Sequence, residues 1–175
     1  MQTKKIILIG YMGSGKSTIG KLLAEELRHP YIDLDTYIEK QENQTISSIF
    51  ENRGEIYFRK QEHFYLKHLL ESKDNMILSL GGGTPCFAGN MDIIKNSNAT
   101  SIYLKLSIPN LVERLFNERN ERPLISHIHD KETMIEFIGK HLFERSYFYN
   151  QATHTFAVKE QTAIQLVEEI KAILV

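Results

Sequence analysis

The chain has a single cysteine, no surplus of either charge and no apolar run longer than a short strand, and each of these shortages excludes something. Cys86 has no second cysteine with which to form an internal disulfide. The opening residues also lack an apolar signal core ending in a small-residue cleavage site. Together these set the expectation of a reducing, cytoplasmic setting, in which Cys86, following Pro85, serves as a small apolar filler. With 21 Lys and Arg against 22 Asp and Glu, the formal net charge is only -1. No basic excess exists to neutralise the phosphates of a polynucleotide, so nucleic-acid binding is not expected. The longest apolar stretches, such as Ile6-Ile7-Leu8-Ile9, fall far short of the roughly 20 residues that a membrane-spanning helix needs. No membrane partner is expected either, and any anionic ligand must be met by individually placed Lys and Arg.

What is present is enough for one core. At 175 residues and 42% apolar side chains, the chain can bury one substantial core but is short for two, so residues 1–175 are expected to form a single domain. Short β-branched or apolar runs occupy residues 6–9, 31–34, 76–80 and 101–106, with a weaker fifth at 155–158. Helical patterns lie between them, which is the signature of βαβ units and of an α/β fold with a parallel sheet covered on both faces. In the first connector Ile19, Leu22, Leu23 and Leu27 share a face. In the last helix Ala163, Leu166, Val167, Ile170, Ile173 and Leu174 form one stripe expected to be buried. Residues 35–75 exceed what a simple crossover needs, with periodicity broken at Asn52-Arg53-Gly54, and suggest an inserted substrate-binding lobe. Residues 117–131 are polar, carry Arg119, Arg122 and Pro123, and read as a mobile loop.

Gly10-Tyr11-Met12-Gly13-Ser14-Gly15-Lys16-Ser17 fits G-x-x-x-x-G-K-[ST] directly after a strand and at the start of a helix. A phosphate chain needs backbone N–H groups turned inward around it, which glycines allow. The following helix offers its unsatisfied N-terminal N–H groups to the same anion. Lys16 adds a full charge at the β- and γ-phosphates, and Ser17 offers a hydroxyl to Mg²⁺. The Mg²⁺-binding Asp that ends a later strand in many such proteins is missing. The acids at a strand end are Asp33 and Asp35, after the second strand. In a parallel sheet that end lies on the same edge as the P-loop. One acid can then hold the metal or its water while the other orients and deprotonates an attacking hydroxyl. The plainer alternative is a solvated turn in which Asp caps the next helix.

Over nearly its whole length the sequence resembles the shikimate kinase family. The P-loop G-x-M-G-x-G-K-S-T is matched by residues 10–18, the D-x-D element by Asp33 and Asp35, and F-R-x-x-E by Phe58-Arg59-Lys60-Gln61-Glu62. G-G-G is matched by Gly81, Gly82 and Gly83, R-P-L by Arg122-Pro123-Leu124, and R-x-x-x-Y by Arg145 and Tyr149, all in the expected order. The resemblance implies a three-layer P-loop kinase fold with a five-stranded sheet in the order 2-3-1-4-5, acting as a monomer on ATP and shikimate. It implies that Gly13, Ser14, Gly15, Lys16, Ser17, Thr18 and Arg122 hold ATP, that Ser17 and, through water, Asp33 serve Mg²⁺, and that Asp35 is the base. Arg59 and Arg145 would grip the substrate carboxylate, whose planar geometry suits guanidinium forks. Gly81, Gly82 and Gly83 would approach the ring against a wall of Ile46, Phe50 and Phe58, and residues 117–131 would be the lid. One departure is Tyr147, where the family often has Pro. Arg114, Lys159 and Gln161 are loose candidates for the adenine end, and His127 and His129 read as a solvated H-x-H rather than a metal site.

Other readings use parts of the same pattern. A gluconate or nucleoside monophosphate kinase would share the P-loop but not the paired arginines and glycine run. A GTPase-like switch would need an N-K-x-D element, which the chain lacks. A nucleotide-binding module without catalysis is opposed by Lys16, Ser17, Asp33 and Asp35 occurring together.

Overall fold

Strand β1 (Lys5–Ile9) is buried at every position. Successive side chains of a strand point to opposite faces, so the sheet around it is covered on both sides. The computed structural model describes residues 5–174. In it β3 (Met76–Ser79) is likewise wholly buried, β4 (Thr100–Lys105) is buried along its middle, and β2 (Tyr31–Asp33) and β5 (His154–Ala157) are more open. The five strands form one parallel sheet in the order β2-β3-β1-β4-β5, as the resemblance implies. β1 opens with a buried lysine, whose ammonium is spent on main-chain carbonyls at the end of a helix: Lys5 Nζ donates to Leu70 O at 2.5 Å and to Ser72 O.

Among the described residues seven α-helices connect and cover the strands: α1 (Lys16–Leu27), α2 (Leu34–Glu42), α3 (Ile46–Glu71), α4 (Asn90–Asn96), α5 (Ile108–Glu118), α6 (Lys131–Tyr149) and α7 (Ala163–Leu174). The starts of α2, α3, α5 and α6 follow from short polar side chains. Asp33, Thr45, Ser107 and Asp130 each accept a hydrogen bond from the N–H three residues on, at 2.7–3.3 Å. α1 packs on β3 and against α7, α2 against α3, and α5 against α6. α3 bends at Gly54, whose φ of 82° breaks the helical dihedrals where the sequence loses its period.

Three expectations need correction. Leu34 does not extend β2: Asp33 caps a helix that begins at Leu34, and the Leu34 side chain is fully buried. Ile173 is not part of the α7 stripe; it is 41% exposed, because α7 turns its buried face through Leu166, Val167 and Ile170, with Leu174 rather than Ile173 packing against the core at its end. The segment 117–131 is not structureless. Asn117 and Glu118 complete α5, Arg119–Glu121 form a 3₁₀ turn, and two further turns bury Ile125 and Ile128.

Gly20 in α1 shows how closely helix and sheet approach. A Cβ there would lie 2.5 Å from Tyr31 Cε2 and 3.1 Å from Leu8 Cδ1. In an open helix Gly→Ala gains up to about 1 kcal/mol, whereas overpacking a tight core costs about 1–3 kcal/mol. The second effect wins at this site. Gly20→Ala is expected to lower the midpoint of urea or thermal unfolding, and a raised midpoint would show that β2 can retreat from α1.

Candidate active site

The P-loop, residues 10–17, joins β1 to α1. Gly13 and Gly15 hold φ of 76° and 93°, which side-chain-bearing residues rarely adopt. Gly15 is the N-cap of α1, so no side chain stands between the helix N-terminus and an anion. Lys16 curls back over the loop, its ammonium donating to Gly10 O at 2.7 Å and Tyr11 O at 3.0 Å. Ser14 Oγ is buried without a hydrogen-bond partner.

A cleft of about 590 Å³ opens above this loop. Gly13, Gly15, Lys16, Ser17, Thr18, Asp33, Asp35, Gly81, Gly82 and Arg122 all line it, with Arg114 and Glu118. The alternative reading of Asp33 as a helix cap and its reading as a site residue are compatible: Oδ1 accepts from Thr36 N at 3.0 Å, and the residue still lines the cleft. Asp35 sits in the first turn of α2, with Oδ1 3.2 Å from where a Cβ on Gly81 would stand.

Charge is concentrated here. Burial pushes the Asp35 carboxyl up to about 6, with Asp33 and Glu62 adding to the push and Lys16 opposing it. Burial lowers Lys16 to about 8, against the pull of Asp35 and Asp33. Ser17, Asp33 and Asp35 offer hard oxygen donors on one wall, which suits Mg²⁺, an ion that keeps several waters and takes one or two carboxylates beside phosphate oxygens. Among the described residues no cluster of three or more His, Cys, Asp or Glu could cage a metal by itself, and His127 of the H-x-H instead sets its ring edge-on to Phe137.

Arg59 and Arg145 converge on the glycine loop from different helices. A Cβ on Gly83 would lie 3.0 Å from Arg59 Nη2, and one on Gly82 would lie 3.2 Å from Arg145 Nη1. Arg59 is held by Glu62, a fully buried carboxylate that accepts from Nη1 at 2.8 and 3.1 Å, and its guanidinium lies 3.8 Å from the centre of the Phe87 ring. Phe50 and Phe58 meet across the Gly54 bend with ring centres 4.8 Å apart, and Ile46 packs against the core. Arg122 instead pairs with Glu118 at 2.5 Å on the cleft's rim, where both are well exposed. Of the three adenine candidates, Arg114 and Gln161 line a hollow of about 240 Å³ beside Ser14 and Thr18, floored by Val158 and Leu166. Lys159 is not in it.

Sequence reasoning missed the support under these groups. Glu62 accepts from Thr84 Oγ1 at 2.7 Å as well as from Arg59; Asn90 donates to Thr84 O at 2.9 Å and meets His63 Nδ1 at 2.8 Å. This buried network fixes the turn after the glycines. The i,i+3 spacing of Arg59 and Glu62 is a visible signal; nothing local marks Thr84 or Asn90. Cys86 packs against the core half-buried, its thiol pushed up to about 11 by burial, as a filler should be.

A family model described as shikimate kinase matches residues 12–174. The chain is 49% identical to a shikimate kinase of Flavobacterium johnsoniae over 98% of its own length and 99% of the relative's. Its structure is similar to that of a shikimate kinase from Bacteroides thetaiotaomicron, with a TM-score of 0.88, 33% identity and 97% of each chain covered. It is also similar to an Acinetobacter baumannii shikimate kinase solved in complex with shikimate, with a TM-score of 0.83 and 31% identity over 98% of this chain and 93% of that one.

Glu62 generates a direct expectation. Removing one partner of a buried charge pair costs about 3–5 kcal/mol, because the other is left uncompensated. Arg59 is 19% exposed and keeps Glu55 at 3.6 Å, so Glu62→Ala is expected to destabilise the fold by the lower end of that range, about 3 kcal/mol, in urea titration, and a loss below about 1 kcal/mol would mean that Glu55 and water replace Glu62.

Proposed function

The chain belongs to the shikimate kinase family, and from that premise we propose how its own residues carry out the transfer of the γ-phosphoryl group from ATP to the 3-hydroxyl of shikimate. It is an ATP-dependent phosphotransferase acting on an alcohol, in the route to chorismate and the aromatic amino acids. The observation that carries the residue-level reading is convergence: the P-loop, two aspartates and two arginines from four separate segments meet around Gly81, Gly82 and Gly83.

In this reading Gly13, Ser14, Gly15, Lys16, Ser17 and Thr18 cradle the phosphates through main-chain N–H groups, with the adenine end directed to the hollow beside Arg114 and Gln161. Ser17 and, through water, Asp33 would hold Mg²⁺, which when bound neutralises charge on the β- and γ-phosphates. Arg59 and Arg145 take the shikimate carboxylate, and Ile46, Phe50 and Phe58 form the apolar wall of the lobe at 35–75. This turns the 3-hydroxyl toward Asp35, whose raised affinity for a proton suits a base that must accept one near neutral pH. As the hydroxyl oxygen bonds to the γ-phosphorus, its proton passes to Asp35 and the bond from that phosphorus to the bridging oxygen of ADP breaks. Lys16 and Arg122 stabilise the charge on the transferred group. The lid, read at 117–131, brings Arg122 inward and keeps water from the phosphoryl group. The working unit is read as a monomer, placed in the cytoplasm where ATP is supplied.

An ADP-release assay with shikimate, gluconate and AMP as acceptors tests the substrate, and shikimate is expected to be used far better than the others. Two variants test the roles. Arg59→Ala removes a charge-assisted contact and is expected to raise the shikimate KM about 10- to 150-fold while leaving the ATP KM nearly unchanged. Asp35→Asn is expected to lower kcat about 10²- to 10⁴-fold. An unchanged shikimate KM in the first, or near-normal turnover in the second, overturns the corresponding role.

A further inference from the structure

Phosphate chemistry leaves the second position of the P-loop free, yet here it holds Tyr11, one of the largest fully buried side chains in the protein. Its ring runs away from the phosphate cradle to α6. The Tyr11 hydroxyl lies 2.9 Å from His141 Nδ1, and its ring lies 5.6 Å from the Arg145 guanidinium carbon. His141 and Arg145 are four residues apart, so they stand one above the other on the same face of α6. Phe137 and Tyr149 continue that row. Phe137 packs on His141 with ring centres 4.4 Å apart, and Tyr149 donates to Gly82 O at 2.5 Å.

Arg145 thus sits between two pinned turns. On one side α6 is bonded to the P-loop through His141, and on the other it is bonded to the glycine loop through Tyr149. Arg59 is oriented by the carboxylate of Glu62, whereas among the described residues Arg145 forms no ion pair; it is held by the Tyr149 hydroxyl, the Tyr11 ring and the turn of its helix. Burial and the neighbouring Arg145 hold His141 below its ordinary range, while burial pushes Tyr11 up to about 12. Both groups are therefore neutral, and the Tyr11 hydroxyl and His141 Nδ1 share one hydrogen.

We propose that Tyr11 and His141 are positioning residues for the acceptor: their hydrogen bond fixes the α6 turn that carries Arg145 at the distance from the P-loop at which its guanidinium meets the acceptor carboxylate. The proposal rests on the reading of Arg145 as a carboxylate ligand. It names a pair with no direct contact to the reacting atoms that nonetheless sets acceptor affinity.

Steady-state kinetics on four single variants and one double variant test it. Tyr11→Phe keeps the ring under Arg145 but removes the hydroxyl, and His141→Leu removes the imidazole. Each is expected to raise the shikimate KM about 3- to 10-fold, with kcat and the ATP KM moving less than about twofold. His141→Asn, whose amide oxygen stands near the place of Nδ1, is expected to restore the shikimate KM. In an Arg145→Ala background, Tyr11→Phe is expected to add nothing further. A shikimate KM unmoved by Tyr11→Phe, a parallel rise in both KM values, failure of His141→Asn to restore, or additive effects in the double variant overturns the positioning role while leaving the carboxylate reading intact. A normal shikimate KM in Arg145→Ala alone overturns both.

Discussion

The register of three parallel strands is the constraint on which the site depends. β1 lies between β3 and β4, with Leu8 opposite both Ser79 and Ile102, and β3 in turn sets Ser79 opposite Asp33. Leu80 N donates to Leu8 O, so β1 and β3 leave the sheet together. The segments that leave these strands are therefore delivered to one place: the P-loop after Ile9, the glycines after Leu80, and the aspartates at Asp33 and Asp35. A parallel sheet always exposes its carboxyl edge to ligands, but here the near-equal strand ends make that edge a single wall. A shift of one residue between β1 and β3 would move the glycine loop by about 3.3 Å, more than the margin between Gly82 and Arg145 allows.

Within that frame, burial decides which arginines are fixed and which can move. The Arg59 pair is anchored on a carboxylate only 1% exposed that also binds Thr84, so separating it strands a charge in the interior. Arg59 is thereby oriented before any ligand arrives. The Arg122–Glu118 pair, at 36% and 46% side-chain exposure, belongs to the class of surface ion pairs worth about 0–1 kcal/mol. Exchanging Glu118 for a phosphate group costs little. In the proposed reading the same chemistry serves two purposes, a preset grip on the acceptor and a releasable charge for the nucleotide. Between them Lys16 and Asp35 are crowded into a poorly solvated cleft, and each is driven toward its neutral form by burial and held back from it by the other.

The strands, the helix connectors and the P-loop are legible because each is written in consecutive residues: a run of Ile and Leu, a period of 3.6, a glycine pattern. The D-x-D, F-R-x-x-E and G-G-G elements can be read as words, but the contacts that join them cannot. Glu62 meets Thr84 across 22 residues and Tyr11 meets His141 across 130. No local pattern encodes such distances. Leu34 prolongs an apolar run and so reads as strand, while the Asp33 cap that ends the strand reads mainly as chemistry. Ile173 keeps the period of α7 but lies at the edge of its buried face, where Leu174 takes the contact with the core. Lys159 and Gln161 look alike near the last strand, yet only Gln161 reaches the hollow beside the P-loop.

The segment before α6 shows how two residues can change the meaning of a polar stretch. Ile125 and Ile128 are buried, and their N–H groups donate to Arg122 O and Ile125 O in successive turns. Burying an Ile side chain is worth about 1.5–3 kcal/mol, so this half of the segment is tied to the core. Asp130 ties its end further, accepting from both Thr133 N and Thr133 Oγ1 at the start of α6. The part without such anchors is the 3₁₀ turn Arg119–Glu121 and the three residues after it, where Leu124 is 66% exposed. If the proposed lid closes by the smallest rearrangement, residues 119–124 move and α6 does not. Arg122 then swings on a hinge whose far side is fixed, while Arg145, on the helix that the anchored half leads into, keeps its place.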